Sequence, residues 1–139
     1  GAVVDGGCHG RLVDVEVQGH VGIITMCNDA KRNAFSTQVC DEMRTGLERC
    51  CTAGVRVVIL RAKPNVKVWS AGHDIRDFKR IDGSSAQSGT SKFQDPLSCE
   101  DAFVKLLQAI RNLPVPVIGS LQGSVWGAAT DICACCDIL

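Results

Sequence analysis

Excess charge of either sign is absent from this chain: Lys+Arg total 15 and Asp+Glu 15, leaving a formal net charge of zero over 139 residues. Without a basic field it lacks the electrostatic footprint of a nucleic-acid binder or of a protein held on an anionic membrane. Apolar residues make up 45% of the chain, yet no run approaches the ~20 residues that cross a bilayer. The N-terminal residues do not pass from a basic segment into an apolar one, so no secretory signal is expected. Zinc-type spacing is missing as well: Cys133 and Cys136 form a C-x-x-C, but no second pair or histidine lies at ligand distance in sequence. No helix–strand unit recurs, and no segment is of low complexity.

Cysteine, by contrast, is abundant: there are nine. Cys27, Cys40 and Cys133 fall within periodic apolar segments, where a free thiol behaves as a small hydrophobe. Cys50 with Cys51, and Cys135 with Cys136, are adjacent pairs that rarely bridge to each other. The expectation is therefore reduced thiols, a reducing compartment and a cytoplasmic location. The length suits one domain with its own core.

Residues 1–10 are glycine-rich and read as a loose or tag-derived tail, with the domain proper at 11–139. Residues 12–18 and 21–27, separated by Gly19 and His20, read as a hairpin. A polar loop follows, 28–35. Ser36 then caps a helix in which Val39, Met43, Leu47 and Cys50 recur at helical spacing, ended by Gly54. The β-branched run 55–60 predicts a buried strand. Residues 68–71 are short and apolar, and Gly72 opens a short helix to about Arg80. Residues 82–96 have the small polar content of an exposed loop. Ser98 starts a helix carrying Phe103, Leu106, Leu107, Ile110 and Leu113, stopped by Pro114 and Pro116. The order β-β-α-β-β-α-α-β-α is α/β.

The stretch 116–139 organises the rest. Val117 and Ile118 lead into glycines at 119, 123 and 127, and a helix of small residues begins near Ala128 with Asp131 one turn in. A strand, a tight turn and a helix start place unsatisfied N–H groups, and the positive end of a helix dipole, at the turn. Val68 to Ile75 repeats that plan upstream. Two such turns can set two N–H donors on one oxygen, the geometry of an oxyanion hole. Asp137 to Leu139 read as the opening of another strand.

The segment SAGHDI at 70–75, taken with GSVWGAATDI at 123–132 and KRNAF at 31–35, resembles the enoyl-CoA hydratase/isomerase (crotonase) superfamily, nearest its methylmalonyl-CoA decarboxylase-like branch. The family's signatures read roughly (F/S)-(A/C/S)-A-G-x-D-(I/L), N-G-x-x-x-G-G-G-x-(E/D)-(L/I) followed by C-D-(I/L/V), and R-x-N-A-(L/F/M). The resemblance implies a ββα spiral fold of which this chain covers about the first half. The second half, which in the family supplies the hydratases' second catalytic glutamate and the corresponding polar group of the decarboxylase-like branch, and the C-terminal helical region would lie beyond it. It further implies a coenzyme A thioester as substrate, no separate cofactor, no metal, and a homo-oligomer. The enolate would be held by the backbone amides of His73 and Ala128, each worth about 3–4 kcal/mol of barrier. Ala128 stands where the family has glycine, which keeps the donor but adds a methyl group to a tight turn.

Asp131 occupies the place of the hydratases' first catalytic glutamate, one methylene shorter. By the same resemblance Lys31 and Arg32 lie where the family meets the nucleotide end of coenzyme A. Ala34, Ala71, Gly72, Asp74, Ile75, Trp126 and Gly127 are further substrate-binding positions, Trp126 as lining of the acyl pocket. Each carries a plainer alternative. The His73 ring caps a helix or fills the pocket mouth, Asp74 satisfies helix-start amides, and Lys31 and Arg32 are solvated cations. Asp131 is an exposed helix residue, and Trp126 packs in the core.

Two functional classes follow: an acyl-CoA enzyme acting as hydratase, isomerase or decarboxylase, and a non-catalytic acyl-CoA-binding or self-assembling module. The loop reading of 82–96 has a direct consequence. Limited proteolysis of the chain is expected to cut first between residues 82 and 96; a chain whose first cuts fall elsewhere would contradict it.

Overall fold

A computed structural model describes residues 8–79 and 98–139. The alternating segment at the start forms the expected hairpin, β1 (Val13–Gln18) and β2 (Val21–Met26), paired antiparallel from Val13 opposite Met26 to Gln18 opposite Val21. After a 3₁₀ turn at Asp29–Lys31, α1 (Thr37–Thr52) crosses back. Ser36 caps it, its Oγ accepting the Val39 N–H at 3.2 Å. Val39, Cys40, Met43, Leu47 and Cys50 form its buried stripe. Burying such side chains contributes roughly 1.5–3 kcal/mol each for the larger ones.

β3 (Val57–Ala62) then lies parallel to β2. It begins two residues later than the apolar run, because Val55 N–H closes the end of α1 on Cys50 O and Arg56 N–H bonds His20 O. β4 (Val68–Ser70) and α2 (Ile75–Lys79) follow. α3 (Ser98–Arg111) packs against α1 through Ala102, Phe103, Leu106 and Ile110, all buried. β5 (Val117–Ser120) joins β3 in parallel and completes a sheet of order β1-β2-β3-β5.

The chain then forms β6 (Ser124–Val125) and α4 (Ala129–Cys135). β6 differs from the expectation of a turn over its residues. Two residues between glycines carry no strand period; they become a strand because β4 offers a parallel partner. The approach is close: a Cβ on Gly123 would sit 2.5 Å from Lys67 O. The main sheet is extended at β5 by a parallel bridge from Ile118 to Ile138, with Gly119 N–H bonding Ile138 O at 2.8 Å. Asp137 Oδ2 accepts the Val117 N–H at 2.7 Å. The expected strand opening at 137–139 is therefore seen as a bridge.

Two expectations are corrected. Cys27 is not a free thiol but is joined to Cys8 by a disulfide, and this ties residues 8–10, read as loose tail, to the end of β2. Composition could not show it, because Cys27 lies at the end of an apolar strand and only the turn of the chain at Arg11, whose N–H bonds Cys8 O, brings the two together. Cys50, Cys51, Cys133, Cys135 and Cys136 form no disulfide, and burial pushes the Cys136 thiol up to about 12. The 82–96 loop lies outside the described residues. The disulfide predicts a cross-linked Cys8–Cys27 peptide in a non-reducing digest, and a loss of about 3 kcal/mol of stability on Cys8→Ser for a loop of this size, measured by urea unfolding. Two alkylated peptides in the unreduced chain would contradict it.

Candidate active site

The site begins with the loop between β2 and α1. Arg32 (φ 53°) and Asn33 (φ 49°) are both left-handed, a conformation Asn tolerates well and Arg less so. Asn33 is 1% exposed. Its Oδ1 accepts the Asn28 N–H at 2.9 Å and its Nδ2 donates to Trp69 O at 3.0 Å. The loop is thereby strapped to β4.

Past β4 the two segments continue side by side. Ala71 N–H bonds Arg32 O at 2.9 Å, Phe35 N–H bonds Gly72 O at 2.8 Å, and Asp74 N–H bonds Phe35 O at 3.0 Å. Phe35 and His73 thus form a parallel bridge. In such a bridge the neighbours of His73 make the bonds to Phe35, so the N–H and C=O of His73 itself point to the opposite side.

The second turn lies against this one. β4 and β6 run parallel, so the residues that follow each strand emerge at the same end of the small sheet. Trp126 N–H bonds Ser70 O at 3.1 Å. Gly72 has φ 87°, and a Cβ placed on it would lie 2.8 Å from Trp126 O and 3.0 Å from Ala128 N. Ala128 is the residue before α4, while Ala129, Thr130 and Asp131 donate their amides to Trp126, Gly127 and Ala128 carbonyls. Among the described residues the Ala128 N–H has no hydrogen-bond partner. The structure therefore brings Gly72, His73, Trp126, Gly127 and Ala128 together, from positions more than fifty residues apart in sequence.

The other predicted residues divide. Ala71 is half-buried and Ala34 buried, beside the turn they support. Asp74 follows the plainer reading: Oδ1 accepts the Arg76 N–H at 3.0 Å and pairs with Arg76 Nε at 3.5 Å. Ile75 is 68% exposed at the start of α2. Trp126 is 61% exposed, with Nε1 donating to Ser124 Oγ at 2.7 Å, so the core-packing alternative is excluded. Asp131 is exposed on α4. The His73 ring meets Phe103 of α3 edge-on, centroids 4.5 Å apart.

Lys31 and Arg32 are exposed. Lys31 borders a cleft of about 960 Å³ between β1 and the start of α1, together with Arg11, Asp41, Asp74 and Asp77. Neither Gly72 nor Ala128 lines it. The contact between the two turns is the better marker of chemistry, since backbone amides held at a turn are fixed donors for a developing negative charge. Among the described residues no group of three or more His, Cys, Asp or Glu could hold a metal. Sequence reasoning passed over Asn33 and Ser70, which organise the turns; the asparagine of KRNAF and the serine of SAGHDI were their visible traces.

A family profile described as enoyl-CoA hydratase/isomerase matches residues 16–139. Methylmalonyl-CoA decarboxylase of Escherichia coli (strain K12) is 32% identical over 129 residues, 93% of this chain and 45% of that protein. The mitochondrial enoyl-CoA hydratase domain-containing protein 3 of Danio rerio is 30% identical over 128 residues, 91% of this chain and 40% of that protein. A solved structure of methylmalonyl-CoA decarboxylase in complex with 2-nitronate-propionyl-CoA superposes with a TM-score of 0.76, 32% identity, and coverage of 92% of this chain and 45% of that one. The chain thus spans less than half the length of these relatives.

The close approach at Gly72 is testable. Gly72→Ala sets a methyl group against backbone atoms at a left-handed φ, and should cost about 1–3 kcal/mol of stability. Thermal unfolding measures this; an unchanged midpoint would show that the turns do not pack as described.

Proposed function

Because this chain belongs to the enoyl-CoA hydratase/isomerase family, we propose that it binds an acyl-CoA thioester and polarises the thioester carbonyl with the main-chain amides of His73 and Ala128. The observation that carries this reading is the packing of the Gly72 turn on Ala128 N, with the His73 amide turned away from its Phe35 neighbour. A carbonyl oxygen placed between the turns would accept both N–H groups. Charge gathers on that oxygen as a bond at the α-carbon breaks, and fixed amides stabilise it without reorganising. A peptide N–H is a neutral dipole that keeps its proton across the working pH range, so this contribution does not titrate.

Decarboxylation is the reaction this arrangement serves most directly. The bond from the α-carbon to a carboxylate breaks, carbon dioxide leaves, and the electron pair is held as the enolate until the α-carbon takes a proton. Support comes from the 32% identity to a protein named for that reaction. It also comes from Asp131, which is exposed and shorter than the glutamate a hydratase would place there. In the hydratase alternative Asp131 would move the proton to or from water. Trp126, apolar and exposed beside Gly127, would cover the acyl group. Lys31 and Arg32, exposed on the neighbouring loop, would meet the phosphates of coenzyme A. No cofactor beyond the thioester is proposed, and the assembly proposed is a homo-oligomer.

Methylmalonyl-CoA and crotonyl-CoA distinguish the alternatives. The chain is expected to release carbon dioxide from methylmalonyl-CoA, with the rate unaffected by Asp131→Ala. Hydration of crotonyl-CoA that falls 10²–10⁴-fold in Asp131→Ala, as loss of a proton-transfer group does, would reassign the reaction to the hydratase class. Binding of both without turnover would leave the chain a binding module. Failure to bind either, by calorimetry, would overturn the reading.

A further inference from the structure

Ser70 is fully buried, and a buried hydroxyl is expected to have its hydrogen-bonding capacity used. Here the bonds it makes lead in two directions. Its Oγ donates to Asn33 O at 2.8 Å. A hydroxyl has one proton, so that donation leaves lone pairs for incoming donors; one accepts the Gly72 N–H at 3.2 Å. The Ser70 carbonyl accepts the Trp126 N–H at 3.1 Å. One residue is therefore bonded to the amide immediately before His73 and to an amide two residues before Ala128. The Asn33 carbonyl that receives the hydroxyl is itself held, because the Asn33 side chain is fastened at both ends, to Asn28 N–H and Trp69 O.

We propose that Ser70, oriented by Asn33, is a positioning residue that holds the His73 and Ala128 amides at one fixed separation. The proposal rests on the oxyanion reading given above and deepens it. Ser70 does not meet the substrate; it acts through two bonds to the backbone on either side of the site. Its hydroxyl sets the Gly72 turn relative to the loop after the first hairpin, and its carbonyl sets the Trp126 turn relative to the same strand. Loss of the hydroxyl frees the Gly72 amide and lets the two turns drift relative to each other. Such drift harms an interaction that requires both donors on one oxygen far more than it harms binding of the rest of the ligand.

The test compares two ligands and one signal that needs no ligand. 2-Nitronate-propionyl-CoA carries the negative charge of an enolate, and propionyl-CoA is its neutral counterpart. Ser70→Ala is expected to weaken the nitronate roughly 10- to 100-fold, below or at the loss of a whole donor, while the affinity for propionyl-CoA hardly changes. Ser70→Thr, which keeps the hydroxyl, should restore the ratio. A parallel fall in both affinities would reduce Ser70 to a fold-stabilising group and overturn the proposal. Independently of any ligand, Ser70→Ala should shift the His73 and Ala128 amide resonances together, with the Gly54 amide at the end of α1 unmoved; an Ala128 resonance that stays in place would overturn it too. If the unaltered chain binds neither analogue, the oxyanion reading fails, and the paired amide shifts still decide whether Ser70 couples the turns. Should Ser70→Ala not fold, Asn33→Asp removes the donor to Trp69 O and should lower the nitronate preference; an unchanged preference would refute Asn33 as the orienting group.

Discussion

Two main-chain hydrogen bonds, from Phe35 N–H to Gly72 O and from Asp74 N–H to Phe35 O, govern what the rest of this molecule can do. Each contributes about 0.5–1.5 kcal/mol net, modest against the whole fold, but their geometric effect is larger. By engaging the residues before and after His73 they leave that residue facing the other way. Phe35 is fully buried and packs on Phe103, ring centroids 5.5 Å apart. The bridge is therefore held by the core, and the Phe103 ring that supports it also supports the His73 ring at 4.5 Å.

The small sheet adds the second half of the arrangement. β3 and β5 are parallel neighbours in the main sheet, and the strands that follow them, β4 and β6, are parallel neighbours in the other. A pair of parallel strands delivers its two following segments to the same end, as α/β folds do wherever ligands bind at the carboxyl ends of strands. Glycine is needed at two places in this scheme. At Gly72 and Gly123 the φ is positive and a Cβ would strike backbone atoms of the neighbouring segment. Substituting alanine for the usual glycine at 128 is tolerated for the complementary reason: its φ is −59°, an ordinary helical value.

The thiols show how environment divides one residue type. Cys8 and Cys27 meet at the end of β2 and are joined. Cys50, Cys133, Cys135 and Cys136 keep raised pKa values, chiefly because burial disfavours the thiolate. They are poor nucleophiles at neutral pH, in keeping with the proposal that backbone amides polarise the substrate.

Much of this was legible in the residues themselves. The hairpin, α1 with its Ser36 cap, α3 and the glycine turns follow from periods and caps that local chemistry writes into the chain. The motif residues around Gly72 and Gly127 mark the family. What no local pattern could supply is whatever depends on a distant partner. β6 is a strand only because β4 lies beside it, Cys27 is bonded only because the N-terminal residues turn back, and Asn33 and Ser70 matter only because their segments meet. Sequence by itself determined the hairpin, the main helices and the glycine turns, since these follow from short-range sterics and hydrophobic period. The tertiary structure alone decided that the turns at Gly72 and Ala128 face each other, because their convergence depends on parallel pairing between strands more than fifty residues apart.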